Sequence, residues 1–326
     1  MTENNQTPPD FKDRTLGLIV FGVTVVLVGL ACGLLIPLSL MAAALSEGTV
    51  GGVDSGSAWA ASAMYGFLAV AFVWLGIGSM RARRWACEIL HSLSWIWLLT
   101  GLCSLLVGIL VIPAVARQTA AASEFPPELT SLVILLIFGV IVFLYVLLPG
   151  AFVLFYRSPH VAATCRFRHP NPQWIDRCPK ELLTLMLLWV LFAASVLLVP
   201  AYNFFFPFFR LALTGAAGAA MWCLVLAICV ILTIGTCRQA PWAWWGGVAL
   251  VVGAALSSSL VALRYDLAEI VTLMDLPEDQ VSLIAALGLD SGWQVALING
   301  LVWGTFLIYL MTQRRFFNPA SVEADD

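Results

Sequence analysis

The chain has 326 residues, 61% of them hydrophobic and only 11% charged, with a formal net charge of −3. Soluble domains carry about 25% charged residues, so this chain cannot hide its apolar surface from water and lipid must be its solvent. The apolar runs do not alternate with a period of two, which excludes a transmembrane β-barrel.

Residues 1–14 form a polar tail. The apolar run from Thr15 to Ala44 is about twice as long as a signal-peptide core of roughly 7–15 residues and reads as a retained first anchor. Further runs follow at 57–80, 86–115, 130–156, 181–201, 209–236, 242–263 and 292–312. A helix of about 20 residues crosses a hydrocarbon core. The sequence therefore predicts an all-α, polytopic bundle of eight spans. Its parts are the tail 1–14, a first four-helix half 15–156, a basic loop 157–180, a second four-helix half 181–312 and a tail 313–326. Pro37, Pro113, Pro149 and Pro200 fall toward span ends, where a missing backbone donor costs least. Only Pro149, beside Gly150, lies deep enough to suggest a break with a functional purpose.

Lys12, Arg14, Arg81, Arg83, Arg84, Arg157, Arg166, Arg168, Arg177, Lys180, Arg238, Arg314 and Arg315 fall on one side of this arrangement, 13 of the 16 basic residues. Arg117, Arg210 and Arg264 fall on the other, with ten acids. Basic loops stay in the cytoplasm, so both termini are expected there, in the cell inner membrane. Trp85, Trp242, Trp244 and Trp245 mark the cytoplasmic edge, and Trp59 and Trp293 the outer one. The outer stretch Phe204-Phe205-Phe206-Pro207-Phe208-Phe209 suits an interfacial anchor, or a contact surface for a lipid or a partner. The outer segment 265–291 is expected to hold one or two short helices lying on the membrane. Pro277 suits a first turn, Glu278 and Asp279 its positive end and Gly288 its stop, with Leu283, Ile284 and Leu287 on the apolar face.

Ala63 to Ala86 aligns without gaps on Ala220 to Ala243, including Gly78/Gly235, Arg81/Arg238 and Trp85/Trp242. Gly-x-x-Arg-x-x-x-Trp-Ala thus recurs at the same topological place. The reading is a duplication of four helices plus four, in parallel orientation because four is even. Gly29-x-x-x-Gly33 and Gly300-x-x-x-Gly304 are read as close-packing faces.

The loop 157–180 carries five basic residues that attract anionic lipid headgroups rather than nucleic acid. His160, Cys165, His169 and Cys178 supply the ligand types of a zinc site. Their spacings match no common zinc motif, and the arginines around them oppose a dication, so no metal is expected. The stretch Thr164-Cys165 with Pro170-x-Pro172-x-Trp174-x-Asp176-Arg177-Cys178-Pro179 resembles a loop in a family of multi-pass bacterial inner-membrane proteins. The resemblance covers about 25 residues, implies the same membrane setting, and carries no activity or binding residue. None of the eight cysteines lies in an outer loop, so no structural disulfide is expected.

Within the spans, Glu88 and His91 share one helix face. Glu88 lies near the interface, where Arg84 or His91 are its expected partners. Asn299, at mid-span, is expected to bond to a neighbouring helix. The sequence has no nucleotide-binding loop, no hydrolase triad order and only three His. The expected role is accordingly non-enzymatic and free of cofactors: a scaffold or accessory subunit of a membrane assembly, with lipids and other membrane subunits as partners. The alternative is a transporter or facilitator of a small or lipid-like molecule. It would not be coupled to protons or sodium, because every acid except Glu88 lies in a loop or tail.

Overall fold

The computed structural model describes residues 12–46, 55–122, 127–170, 178–276, 281 and 292–317. It is almost wholly helical: α1 (Thr15–Ser46), α2 (Ser55–Met80), α3 (Arg84–Ala122) and α4 (Pro127–Val142). A π-helical turn (Phe143–Leu147) joins α4 to α5 (Leu148–Tyr156), and α6 (Pro159–Arg168) follows. Then come α7 (Lys180–Ser195), which tightens into a 3-10 helix (Val196–Tyr202), and an antiparallel hairpin of β1 (Phe206–Phe208) and β2 (Leu211–Leu213). The chain continues through α8 (Gly215–Cys237), α9 (Pro241–Arg264), α10 (Leu267–Leu273) and α11 (Gly292–Thr312), with a last 3-10 turn (Gln313–Phe317).

Among the described residues, eight helices are long and apolar enough to cross a membrane, and they coincide with the eight predicted runs to within a few residues at most ends. Large aliphatic side chains stand uncovered along them, including Leu34, Val70 and Leu154. Such surfaces are stable against hydrocarbon and costly in water. Two segments differ from the sequence reading. The sixth span begins at Gly215 rather than 209, because residues 206–213 leave the helix to form the hairpin. The basic loop 157–180 contains the ten-residue helix α6, opened by Pro159 in its first turn.

The chain divides into two compact units: residues 1–33, 68–106 and 132–180, and residues 34–67, 107–131 and 181–326. In the first unit, α1 and α2 approach closely at glycines. A Cβ on Gly29 would stand 3.0 Å from the Ala69 carbonyl, whereas one on Gly33 would meet nothing nearer than 3.9 Å, so only Gly29 of the predicted pair sets the approach. Pro149 has no N–H to return to the Tyr145 carbonyl, the bond an α-helix would make there. The chain absorbs this defect in the π turn. The Tyr145 carbonyl lies against Gly101 of α3, so near that a Cβ there would overlap it. Beyond the turn, Phe152 and Tyr156 join Phe21 and Phe155 in an aromatic cluster. The Tyr156 hydroxyl donates to Ser79 Oγ (2.7 Å), which donates to the Leu18 carbonyl (3.3 Å). At the start of α1, the Thr15 hydroxyl and amide both donate to Asp13 and hold its carboxyl below the usual carboxylate range.

In the second unit, α9 packs along α11. Trp189 of α7 is fully buried beside Phe306, and Phe192 meets Trp303 edge to face at 5.9 Å. Trp244 is core rather than an interfacial anchor. Its Nε1–H donates to the Leu310 carbonyl (3.0 Å), and Arg314 lies over its ring. Trp242 and Trp245 are exposed, as is Trp293. A Cβ on Gly300 or Gly304 would meet nothing within 4 Å, so that pair is not a packing face; Gly292 is the close approach on α11, against the Ala262 carbonyl. After α9, Asp266 and Glu269 form a reciprocal cap on α10, one of the short helices predicted for 265–291. The helix expected from Pro277 to Gly288 lies outside the described residues.

Each unit contains the same turn. Between α2 and α3, Arg83 N–H bonds to the Gly78 carbonyl and Ala82 N–H to the Ser79 carbonyl, with Ala82 at φ 51°. Between α8 and α9, Ala240 N–H bonds to the Gly235 carbonyl and Gln239 N–H to the Thr236 carbonyl, with Gln239 at φ 53°. Both are Schellman ends with a left-handed residue. Glycine is required at 78 and 235 because a Cβ there would stand 2.7 Å from Ala86 Cβ and 2.6 Å from Ala243 Cβ respectively.

Candidate functional site: an apolar cavity beneath an aromatic hairpin

The hairpin is held in place from two helices. Its turn places Phe209, at φ 50°, where glycine is favoured. A non-glycine residue there costs about 1–2 kcal/mol. Ser257 of α9 compensates: its Oγ accepts from Phe209 N–H (2.6 Å) and donates to the Pro207 carbonyl (2.6 Å). From α8, Trp222 Nε1–H donates to the Phe205 carbonyl (3.0 Å) and its ring meets Phe206 edge to face at 5.2 Å.

Beneath this anchored hairpin is a cavity of about 280 Å³. Phe206 to Phe209 line it from the hairpin, Met221 to Ile228 from α8, Ala249 to Ser258 from α9, and Phe192 and Trp303 from α7 and α11. Its walls are rings and methyl groups. The two hydroxyls, Ser257 and Ser258, are already bonded to backbone, Ser258 to the Ala254 carbonyl at 2.8 Å. Gly253 opens on free space, with nothing within 4 Å of where a Cβ would be. Arg210, the second residue of the hairpin turn, is exposed. The lining can enclose an apolar chain and offers no free nucleophile, acid or base.

No family model, curated protein or solved structure matches this chain.

The residues singled out in the sequence lie elsewhere. Glu88 pairs with Lys180 at 3.1 Å, a partner additional to the Arg84 and His91 expected from helix spacing. Lys180 is the first residue of α7 and reaches the carboxylate across space that sequence spacing does not reveal. His91 Nδ1 is buried and has no hydrogen-bond partner. Asn299 Nδ2 donates to the Val295 carbonyl of its own helix (3.1 Å), one turn back. Among the described residues, no group of three or more His, Cys, Asp or Glu is placed to hold a metal. His160 lies in the first turn of α6 and His169 caps its end, His169 Nε2 bonds to the Arg81 carbonyl (3.0 Å), and Cys165 turns to Cys87. Cys178 Sγ lies 3.7 Å from the Pro179 carbonyl. The cavity itself was not identified in the sequence; its one visible signal was the aromatic run at 204–209.

Proposed function

We propose that this chain is a non-enzymatic, multi-pass inner-membrane protein that takes the apolar chain of a lipid-like molecule into the cavity beneath the hairpin. The observation that carries the reading is the cavity's lining, apolar throughout and with both hydroxyls already bonded. An apolar chain entering the cavity from the bilayer gains through close packing against the lining rather than through removal from water. The 13-to-3 distribution of basic residues supports cytoplasmic termini and, with them, a hairpin at the outer face. The twin Schellman turns at Gly78–Arg83 and Gly235–Ala240 support a four-plus-four duplication.

Native mass spectrometry of the protein taken from its membrane tests the lipid reading. The wild-type chain should carry a bound lipid. Gly253→Phe, which fills open space on α9, should keep the thermal stability and lose the lipid. Wild-type protein without lipid, or an unchanged lipid complement in the variant, would sink the reading. A second reading is that of a scaffold or accessory subunit. It is favoured by the exposed rim of the hairpin, Phe208, Phe209 and Leu211, which suits another membrane subunit.

A further inference from the structure

Cys165 of α6 and Cys87, in the first turns of α3, bring their sulfurs to 2.7 Å, and both side chains are buried. This is well inside the contact distance of two thiols. A disulfide needs about 2.05 Å, so the sulfurs stand within about 0.7 Å of bonding. The helix that carries Cys165 is held at its middle and at its C-terminal end by residues of the same unit. Thr164 Oγ1 accepts from Arg14 N–H (3.2 Å), and His169 bonds to the carbonyl of Arg81 (3.0 Å). The two thiols therefore cannot drift apart while α6 stays docked.

We propose that Cys87 and Cys165 are a redox-reactive dithiol that closes to a disulfide when a peroxide reaches it, joining α6 covalently to α3. The reaction balances with hydrogen peroxide as the oxidant. One thiol gives up its proton and attacks a peroxide oxygen as the thiolate, the O–O bond breaks, and the hydroxide released takes up that proton, leaving a sulfenic acid and one water. The second thiol attacks that sulfur, the S–O bond breaks, the S–S bond forms and a second water leaves. The two sulfurs lose two electrons and the peroxide gains them. A thiol pair facing a reducing compartment stays open until such a challenge. Closure would fix the exposed arginines of α6, Arg166 and Arg168, at one place on the protein.

The test uses the full chain in detergent micelles, treated with hydrogen peroxide, denatured, and alkylated with a maleimide. The chain has eight cysteines, all free. Two labels should be lost after peroxide and regained after dithiothreitol, and the peptide map should join Cys87 to Cys165. Cys87→Ser and Cys165→Ser should each prevent the loss, whereas Cys178→Ser should leave it in place. The peptide map is made on the unaltered chain, so it does not depend on the variants folding. Eight labels after peroxide, a link through any other cysteine, or a sulfinic acid at either position would overturn the proposal.

Discussion

Glu88 is an acidic residue within the third predicted span, and its partner decides what it can do. Lys180 lies 3.1 Å away with 60% of its side chain exposed, so the pair sits in a wet environment. Pairs of this kind contribute about 0.2–1 kcal/mol. Glu88→Gln should therefore lower the thermal midpoint in detergent by no more than a few degrees, and Lys180→Met should do the same. A double-mutant cycle should return a coupling below about 1 kcal/mol; a coupling of about 3 kcal/mol or more would mean that the pair is effectively buried. The sequence marked Glu88 correctly as a charge that needs a partner. It could not name Lys180, because helix spacing points to Arg84 and His91 while Lys180 arrives from another helix. At Asn299, one amide N–H goes to the Val295 carbonyl of its own helix, a local bond that the reading in terms of neighbouring helices did not include.

The turns at Ala82 and Gln239 show how an element can be legible in part. The repeated Gly-x-x-Arg-x-x-x-Trp-Ala pattern located them, and the glycines are where helix and tryptophan crowd together. The left-handed residue itself was hidden, because alanine and glutamine stand where glycine is usual. Gln239→Gly should accordingly stabilise the protein by up to about 1 kcal/mol, since the left-handed conformation costs a non-glycine residue about 1–2 kcal/mol. Gly235→Ala should destabilise it by about 1–3 kcal/mol through overpacking against Trp242 and Ala243. Thermal unfolding of both variants checks the pair; a destabilising Gln239→Gly or a neutral Gly235→Ala would contradict the turn geometry. The hairpin was hidden for a different reason. Its residues are as apolar as a span, so hydropathy assigned 209–214 to the sixth helix, and the bond from Ser257 that holds the turn comes from α9.

Hydropathy made the eight spans legible because each run of side chains must match the thickness of hydrocarbon, a constraint that acts on every residue at once. Cavities and thiol pairs obey no such rule: they depend on which helices meet, and Cys87 belongs to the third run while Cys165 lies in the loop 157–180. The distribution of acids carries a prediction for the molecule as a whole. An ion relay needs charge or broken helices near the midplane, and Glu88 is held by Lys180 at the start of α7. Reconstituted in liposomes under an imposed pH gradient, the protein should pass no protons; flux that disappears in Glu88→Gln would reverse this. The π turn has a consequence for the fourth span as it crosses the membrane. One residue beyond the α-helical repeat turns everything after it by about 100°. Before the turn, Leu135, Leu136 and Ile137 lie open; after it, Pro149, Phe152, Val153 and Tyr156 form one buried row. A single surplus residue thus acts as a phase shifter, letting one helix belong to the lipid along half its length and to the protein along the other.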